Sequence, residues 1–206
     1  GQHEHWEAIY KRKRDQELSW YRPHLERSLE LLRRSGLAHD AAILDVGGGT
    51  STFIDDLLAA GYSDLTVVDI AATALAKTRA RLGSRADSVQ WIAGDVTALQ
   101  LPEKRFDFWH DRAVFHFLVD AEARQRYVHN VRTALRPGGC ALAPRTMYWA
   151  LRKWLIEFAA PRGLALEFYE NASTDDLAAK ARARRPRLIW IETPANPTWD
   201  ITDIAA

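Results

Sequence analysis

Six residues have the types and spacing to hold a nucleoside-bearing ligand: Asp45, Gly47, Gly48, Gly49, Asp69 and Asp95. The glycine triplet lets the backbone turn tightly and approach a ligand with no Cβ in the way. Asp69 lies 22 residues after Gly47, close to the interval at which nucleotide-binding sheets place an acid for a ribose diol. Asp95 ends a third apolar run, where a carboxylate can accept from an adenine amino group. A nicotinamide cofactor is the competing reading, but its G-x-G-x-x-G/A fingerprint needs Gly or Ala three residues after Gly49, and Thr52 stands there. No Lys-Ser/Thr follows the glycines, which excludes a phosphate-binding P-loop. Glycines alone would allow a plain flexible turn. Ordered acids on three consecutive strands argue against it.

A second cluster, "WHDRAVFHF", offers His110, Asp111, Arg112, Phe115 and His116. Asp111 and His116 are candidate general bases, and the aromatics are candidate pocket walls. Each also has a structural reading. Asp111 and Arg112 can pair with each other or cap the next turn, and His116 can be a hydrogen-bonded structural residue. Trp20 and Tyr21 can close over a ligand or pack an amino-terminal helix. His3 and His5 sit in a terminal segment, and no metal site is expected.

These residues must be placed by strands and helices. "HLERSLELLRRSG" reads as an amphipathic helix with Leu25, Leu29 and Leu32 on one face and Gly36 as a stop. A rhythm then begins. "AAILDV", "DLTVVDI", "VQWIAGDV", "RFDFWHDRA" and "CALAP" are short apolar strands, and "TFIDDLLAAG", "TALAKTRARLG" and "AEARQRYVHNVRTALRPGG" are helices between them. Such alternation predicts βαβ units: an α/β, Rossmann-like three-layer sandwich whose mainly parallel sheet has helices on both faces. The rhythm continues with a helix in "YWALRKWLIEFAAPRG", where Trp149, Trp154 and Phe158 are expected to pack. "LALEFYE" follows as a strand, "STDDLAAKARARR" as a capped helix, "RLIWIETP" as a strand, and "WDITDIAA" as the opening of another helix.

Bulk properties bound the function. The chain has 206 residues, 47% apolar and 27% charged, with net charge +1. That is a globular balance with no general attraction to nucleic acid or to an anionic membrane. The basic run Lys11 to Arg14 reads as a solvated helix face, because Asp15 and Glu17 offset it. The single cysteine, Cys140, excludes an intrachain disulfide framework and fits a reducing, cytoplasmic compartment. No apolar stretch has the length of a membrane span. The start at Gly1 reads as a processed or engineered terminus.

"ILDVGGGTS", "VVDI", "AGDVTAL", "FDFWHDRAVFHFL" and "LRPGG" resemble, in order and spacing, the successive motifs of class I S-adenosylmethionine-dependent methyltransferases. "HWEAIYKRKRDQELSWYRPH" resembles the amino-terminal segment of a bacterial branch of that family. The resemblance covers about residues 5 to 143 and implies a sheet of order 3-2-1-4-5. It implies that Asp45, Gly47, Gly48 and Gly49 contact the methionine moiety, that Asp69 holds the ribose and that Asp95 with Val96 holds the adenine; Ile70, beside Asp69, and Tyr21 are further candidate cofactor contacts. S-adenosylhomocysteine would be the product and a small molecule or a protein side chain the acceptor. One departure is Ser51, where the family often has a further glycine.

Residues 147 to 206 resemble a different family, the pyridoxal-phosphate enzymes of cysteine and methionine metabolism, through "IWIETPANP" above all. In that family the asparagine matching Asn196 lies near the cofactor. The Schiff-base lysine and the acid for the pyridine nitrogen have no counterpart, so pyridoxal-phosphate chemistry is not expected. The expected layout is a methyltransferase-like domain over 1–145 and a βα extension over 146–206 packed on the same sheet, the whole being an engineered or fused chimera. Two alternatives to an active methyltransferase stay open: a fold that binds the cofactor without turnover, and a scaffold with no ligand.

Overall fold

In the computed structural model the apolar runs become short strands, and every residue of the first is buried. The structure describes residues 2–18, 21–111, 114–137, 141–147, 149–162, 165–171, 173–184, 186, 188 and 189. The chain divides into two units, Gly1–Leu29 with Ala38–Leu135, and Glu30–Leu37 with Arg136–Ala206.

The first unit starts with helix α1 (Gln2–Arg12) and the opening of α2 (Glu26–Arg34). Then come β1 (Ala42–Val46), α3 (Phe53–Ala59), β2 (Asp64–Asp69), α4 (Ala72–Leu82), β3 (Val89–Ala93), β4 (Phe108–Asp111) and α5 (Ala121–Ala134). The four strands are parallel in the order β3-β2-β1-β4. Asp45 of β1 stands beside Val67 of β2 and His110 of β4. Parallel strands covered on both faces need apolar side chains in both directions, and "AILDV" and "LTVVD" supply them, with Ile43, Leu44, Val46, Leu65, Val67 and Val68 buried.

Helix α1 is fastened to α4 by an ionic cap. Ala71, which precedes α4, makes no side-chain cap. The Glu7 carboxylate takes that place, accepting from the Thr73 N–H at 3.0 Å and from the Thr73 hydroxyl at 2.5 Å. These bonds hold the Glu7 carboxyl below its ordinary value. A carboxyl depressed by folding stabilises the fold above its unfolded pKa, and the contribution is lost as pH falls through the lowered value.

The second unit holds β5 (Ala141–Pro144), α6 (Trp149–Trp154), a π-helical turn Leu155–Ala159, β6 (Leu166–Tyr169), α7 (Thr174–Arg184) and β7 (Leu188–Ile189). Its sheet has the order β6-β5-β7, with both neighbours parallel to β5. The expected order 3-2-1-4-5 is thus seen as 3-2-1-4 in the first unit, and β5 is the central strand of its own sheet. Leu142, Tyr169, Leu177 and Ala181 form a buried cluster there. The capping of α7 is as expected, with the Ser173 hydroxyl accepting from the Asp176 N–H at 3.0 Å. Trp149 departs from expectation. It is 65% exposed at the start of this six-residue helix. The side chains of Trp154 and Phe158, the Pro-Gly-Gly turn at Gly138 and Gly139, and the segment from Trp190 that carries Asn196 lie outside the described residues.

Candidate functional site

The carboxyl ends of β1, β2 and β3 open on one cavity of about 260 Å³. Asp45, Gly47, Gly48, Asp69, Ile70, Asp95 and Val96 all line it, with Tyr21 from the amino-terminal segment. The sheet therefore brings together nearly all of the cofactor set predicted from sequence. Gly49 lies at the edge, where an added Cβ would stand 3.0 Å from Asp69 Oδ2.

The turn after β1 is held by the sheet itself. Gly47 N–H donates to the Val68 carbonyl at 2.7 Å, and Gly48 N–H to the same oxygen at 3.3 Å. Gly47 has φ +71°, a left-handed conformation that side chains disfavour. Gly48 is required by space. A Cβ there would lie 2.5 Å from Val67 Cγ1 and 2.7 Å from Asp45 Oδ2. Helix α4 reaches across to secure the rest. Thr78 Oγ1 donates to the Gly49 carbonyl at 2.7 Å, and Arg81 donates to the carbonyls of Thr50 (3.0 Å) and Ser51 (2.7 Å). Ser51, the departure from the family glycine, fits with use: its hydroxyl accepts from the Phe53 N–H at 3.2 Å in the first turn of α3.

The acids differ in environment. Asp69 is 6% exposed, and its Oδ1 accepts from the Ala71 N–H at 2.8 Å. Burial pushes its carboxyl up to about 6; the Ala71 and Gly49 N–H groups oppose the shift, while Asp45 and Glu7 add to it. Asp45 is 3% exposed. Its Oδ1 meets His110 Nδ1 at 2.6 Å, and its Oδ2 is buried without a hydrogen-bond partner among the described residues. Asp95 is exposed and caps its own turn, accepting from the Thr97 N–H at 2.8 Å. Asn130 of α5 steadies that loop, donating to the carbonyls of Val96 (2.6 Å) and Leu99 (3.1 Å).

In the cluster after β4, the Asp111 carboxylate is bound to its own turn and to α5. Asp111 accepts from the N–H groups of Val114 (2.7 Å) and Phe115 (3.1 Å) and from the Tyr127 hydroxyl. Tyr127 in turn accepts from Trp109 Nε1 at 2.9 Å. Burial raises the Asp111 carboxyl against these bonds, and burial followed by the Asp111 charge raises the Tyr127 phenol well above its ordinary value. The phenol therefore stays protonated and donating. Both Asp111 oxygens are engaged in shaping the 111–117 turn, which is the capping role that sequence left open. The His116 side chain and Arg112 lie outside the described residues. Replacing Tyr127 with phenylalanine leaves Trp109 Nε1 without an acceptor and Asp111 one donor short. The expected loss is about 1–3 kcal/mol of stability, read as a lower urea midpoint; an unchanged midpoint would remove this triad from the account.

Above the strand ends, Trp6, Tyr10, Leu18 and Tyr21 form an aromatic-rich wall. Trp6 meets Phe117 edge-on at 5.2 Å. Phe117 is 46% exposed and lies with Val114 and Leu118 at the β4 side of the cavity. Sequence reasoning missed Trp6 and Tyr10 as lining residues, and it missed His110 as the partner of Asp45. The available signals were the helical spacing of Trp6 and Tyr10 and the position of His110 at a strand end. Among the described residues, no three His, Cys, Asp or Glu side chains gather as a metal site, and no helix is long and apolar enough to cross a membrane.

A glycine turn after β1, acids at three neighbouring strand ends and a parallel sheet of order β3-β2-β1-β4 are the layout of a Rossmann-like nucleotide-binding sheet. Residues 43–139, a little under half of the chain, match the family described as "Methyltransferase domain". Among curated relatives, the eEF1A lysine and N-terminal methyltransferase of Mus musculus is 23% identical, covering 89% of this chain and 27% of its own length. The EEF1A lysine methyltransferase 2 of Danio rerio is 28% identical, covering 68% of this chain and 66% of its own. The chain thus spans about a quarter of the first relative and about two thirds of the second. A solved structure concerned with conversion of a disulfide bond into a thioacetal group during echinomycin biosynthesis shares the fold, with TM-score 0.55, 22% identity, and coverage of 76% of this chain and 66% of that one.

Proposed function

We propose that this chain binds S-adenosylmethionine in the cavity at the ends of β1 to β3 and transfers its methyl group to a nucleophile admitted beside β4. The observation that carries the reading is the convergence of Asp45, Asp69 and Asp95 with the glycine turn on one cavity, where Asp45 holds a buried oxygen that lacks a partner among the described residues. Buried unpartnered carboxylate oxygens are costly, and a cationic ligand group would relieve that cost. The cofactor supplies, when bound, a methyl group on a sulfonium sulfur, with S-adenosylhomocysteine as product. Asp45, Gly47 and Gly48, with Gly49 at the edge, would hold the amino-acid end. Asp69 and Ile70 would hold the ribose, Asp95 and Val96 the adenine, and Tyr21 would cover it. Trp6, Val114, Phe117 and Leu118 would orient the acceptor and exclude water.

The relatives' names favour a protein amino group as acceptor, a lysine or an amino terminus, with a small molecule as the alternative. An amine must lose a proton to attack. Asp111 has both oxygens occupied, which favours His116, or water at the cavity mouth, for that step. The setting proposed is cytoplasmic, in keeping with the single cysteine. Residues 1–145 are proposed as the methyltransferase domain and 146–206 as its βα extension. The likeness to a pyridoxal-phosphate enzyme and the chimeric scaffold receive no support from the relatives, since the mouse alignment runs over 89% of the chain.

The test is calorimetric titration with S-adenosylmethionine and S-adenosylhomocysteine, alongside Asp69→Ala. Saturable binding weakened at least tenfold by the substitution is expected. No binding by a folded wild-type protein would overturn the reading. Methyl transfer would then be sought on lysine-bearing and amino-terminal peptides.

A further inference from the structure

The Asp45 carboxylate is set between two unlike neighbours. Oδ1 meets His110 Nδ1 at 2.6 Å. Oδ2, equally buried, has no partner among the described residues. An ionised carboxylate has no proton to give, so Nδ1–H must be the donor in that contact. The ring is held from its far side as well. Nε2 meets the Ser28 hydroxyl of α2 at 2.9 Å and, in the neutral ring, accepts its proton. The Phe53 ring lies against the imidazole at a centroid distance of 4.1 Å and a tilt of 33°. Ser28, His110 and Asp45 come from three separate elements, and the chain of contacts runs from helix surface to cavity.

A carboxylate with no such anchor can rotate and share its charge between two directions. Here one oxygen is committed, and the other lies buried beside Gly48, where even a methyl group would not fit, in a residue that lines the cavity. Groups that must meet a ligand closely are most effective when a second layer of contacts fixes their orientation, and a charge-assisted hydrogen bond is the strongest such anchor.

We propose that His110, itself held by Ser28, is a positioning residue that aims Asp45 Oδ2 at the cationic amino group of the cofactor's amino-acid end. The inference rests on the reading of the cavity as an S-adenosylmethionine site. It assigns to His110 no contact with the ligand's nucleoside end and no part in proton transfer.

This division between the two ends of the ligand makes a sharp test. S-adenosylmethionine and 5′-methylthioadenosine share the adenosine, and only the former has the amino-acid end. In titrations of the full chain, His110→Ala is expected to weaken S-adenosylmethionine at least tenfold and to change 5′-methylthioadenosine less than threefold. His110→Asn, whose amide can stand where Nδ1–H stood, should recover most of the loss. Equal weakening of both ligands, or no weakening of either, overturns the proposal while leaving the site in place. Failure of the wild type to bind either ligand overturns the site and the proposal together. Should His110→Ala not fold, Ser28→Ala carries the same comparison. It should weaken S-adenosylmethionine by a smaller factor and leave 5′-methylthioadenosine unchanged, and parallel effects on both would overturn the proposal.

Discussion

Asp69→Asn is expected to weaken S-adenosylmethionine by one to two orders of magnitude and, in the same protein, to change how stability depends on pH. The affinity loss follows from removing a charged acceptor for the ribose, a bond worth about 1.5–3 kcal/mol. The pH effect follows from linkage. The folded-state value of about 6 lies above the ordinary 3.8. Between those values the folded state holds a proton that the unfolded chain has released. Stability from this group therefore falls as pH rises from about 4 to about 6, and the full cost of the buried charge persists above that. The cost is on the order of 3 kcal/mol. An asparagine carries no such charge. The gap in unfolding free energy, variant minus wild type, should thus grow in the variant's favour between pH 4 and pH 7, whatever constant offset the amide introduces. Urea melts at the two pH values would read it. A gap that does not move with pH would mean Asp69 is not held in the desolvated state described, and unchanged affinity would take the ribose role from it.

Gly48→Ala should act on both fold and site. The new methyl group has no room, with Val67 Cγ1 and Asp45 Oδ2 both inside 3 Å of its position. Val67 is a buried strand residue and cannot withdraw. Overpacking of this kind costs about 1–3 kcal/mol. The alternative to clashing with Asp45 is to displace its carboxylate, which breaks the geometry that the ligand's amino group needs. Expected together are a lower urea midpoint and at least a tenfold loss of S-adenosylmethionine affinity. A variant with normal stability and normal binding would show that the turn after β1 is looser than the hydrogen bonds to Val68 imply.

Local physics made the frame of this protein readable in its sequence. Short buried strands alternating with helices are a matter of apolar runs and helix periodicity, which act over a few residues. An acid at the end of a strand and a glycine after it are local as well, so Asp45, Gly47, Gly48, Asp69 and Asp95 could be placed at strand ends before any fold was known. Their sharing of one cavity then follows from parallel pairing of β1, β2 and β3 in register.

What tertiary structure alone decided are the contacts between residues far apart in the chain. His110 meets Asp45 across 65 residues and Ser28 across 82. Glu7 caps α4 across 66 residues, and Asn130 steadies the Val96 loop across 34. No periodicity encodes such pairs, because they depend on which faces the packed elements turn toward each other. The same reason applies to Asp111 and Trp149. Asp111 could be a base or a cap by its sequence, and only the fold brings the N–H groups of Val114 and Phe115 and the Tyr127 hydroxyl to its carboxylate. Trp149 is expected to pack by its type, and the fold leaves it 65% exposed.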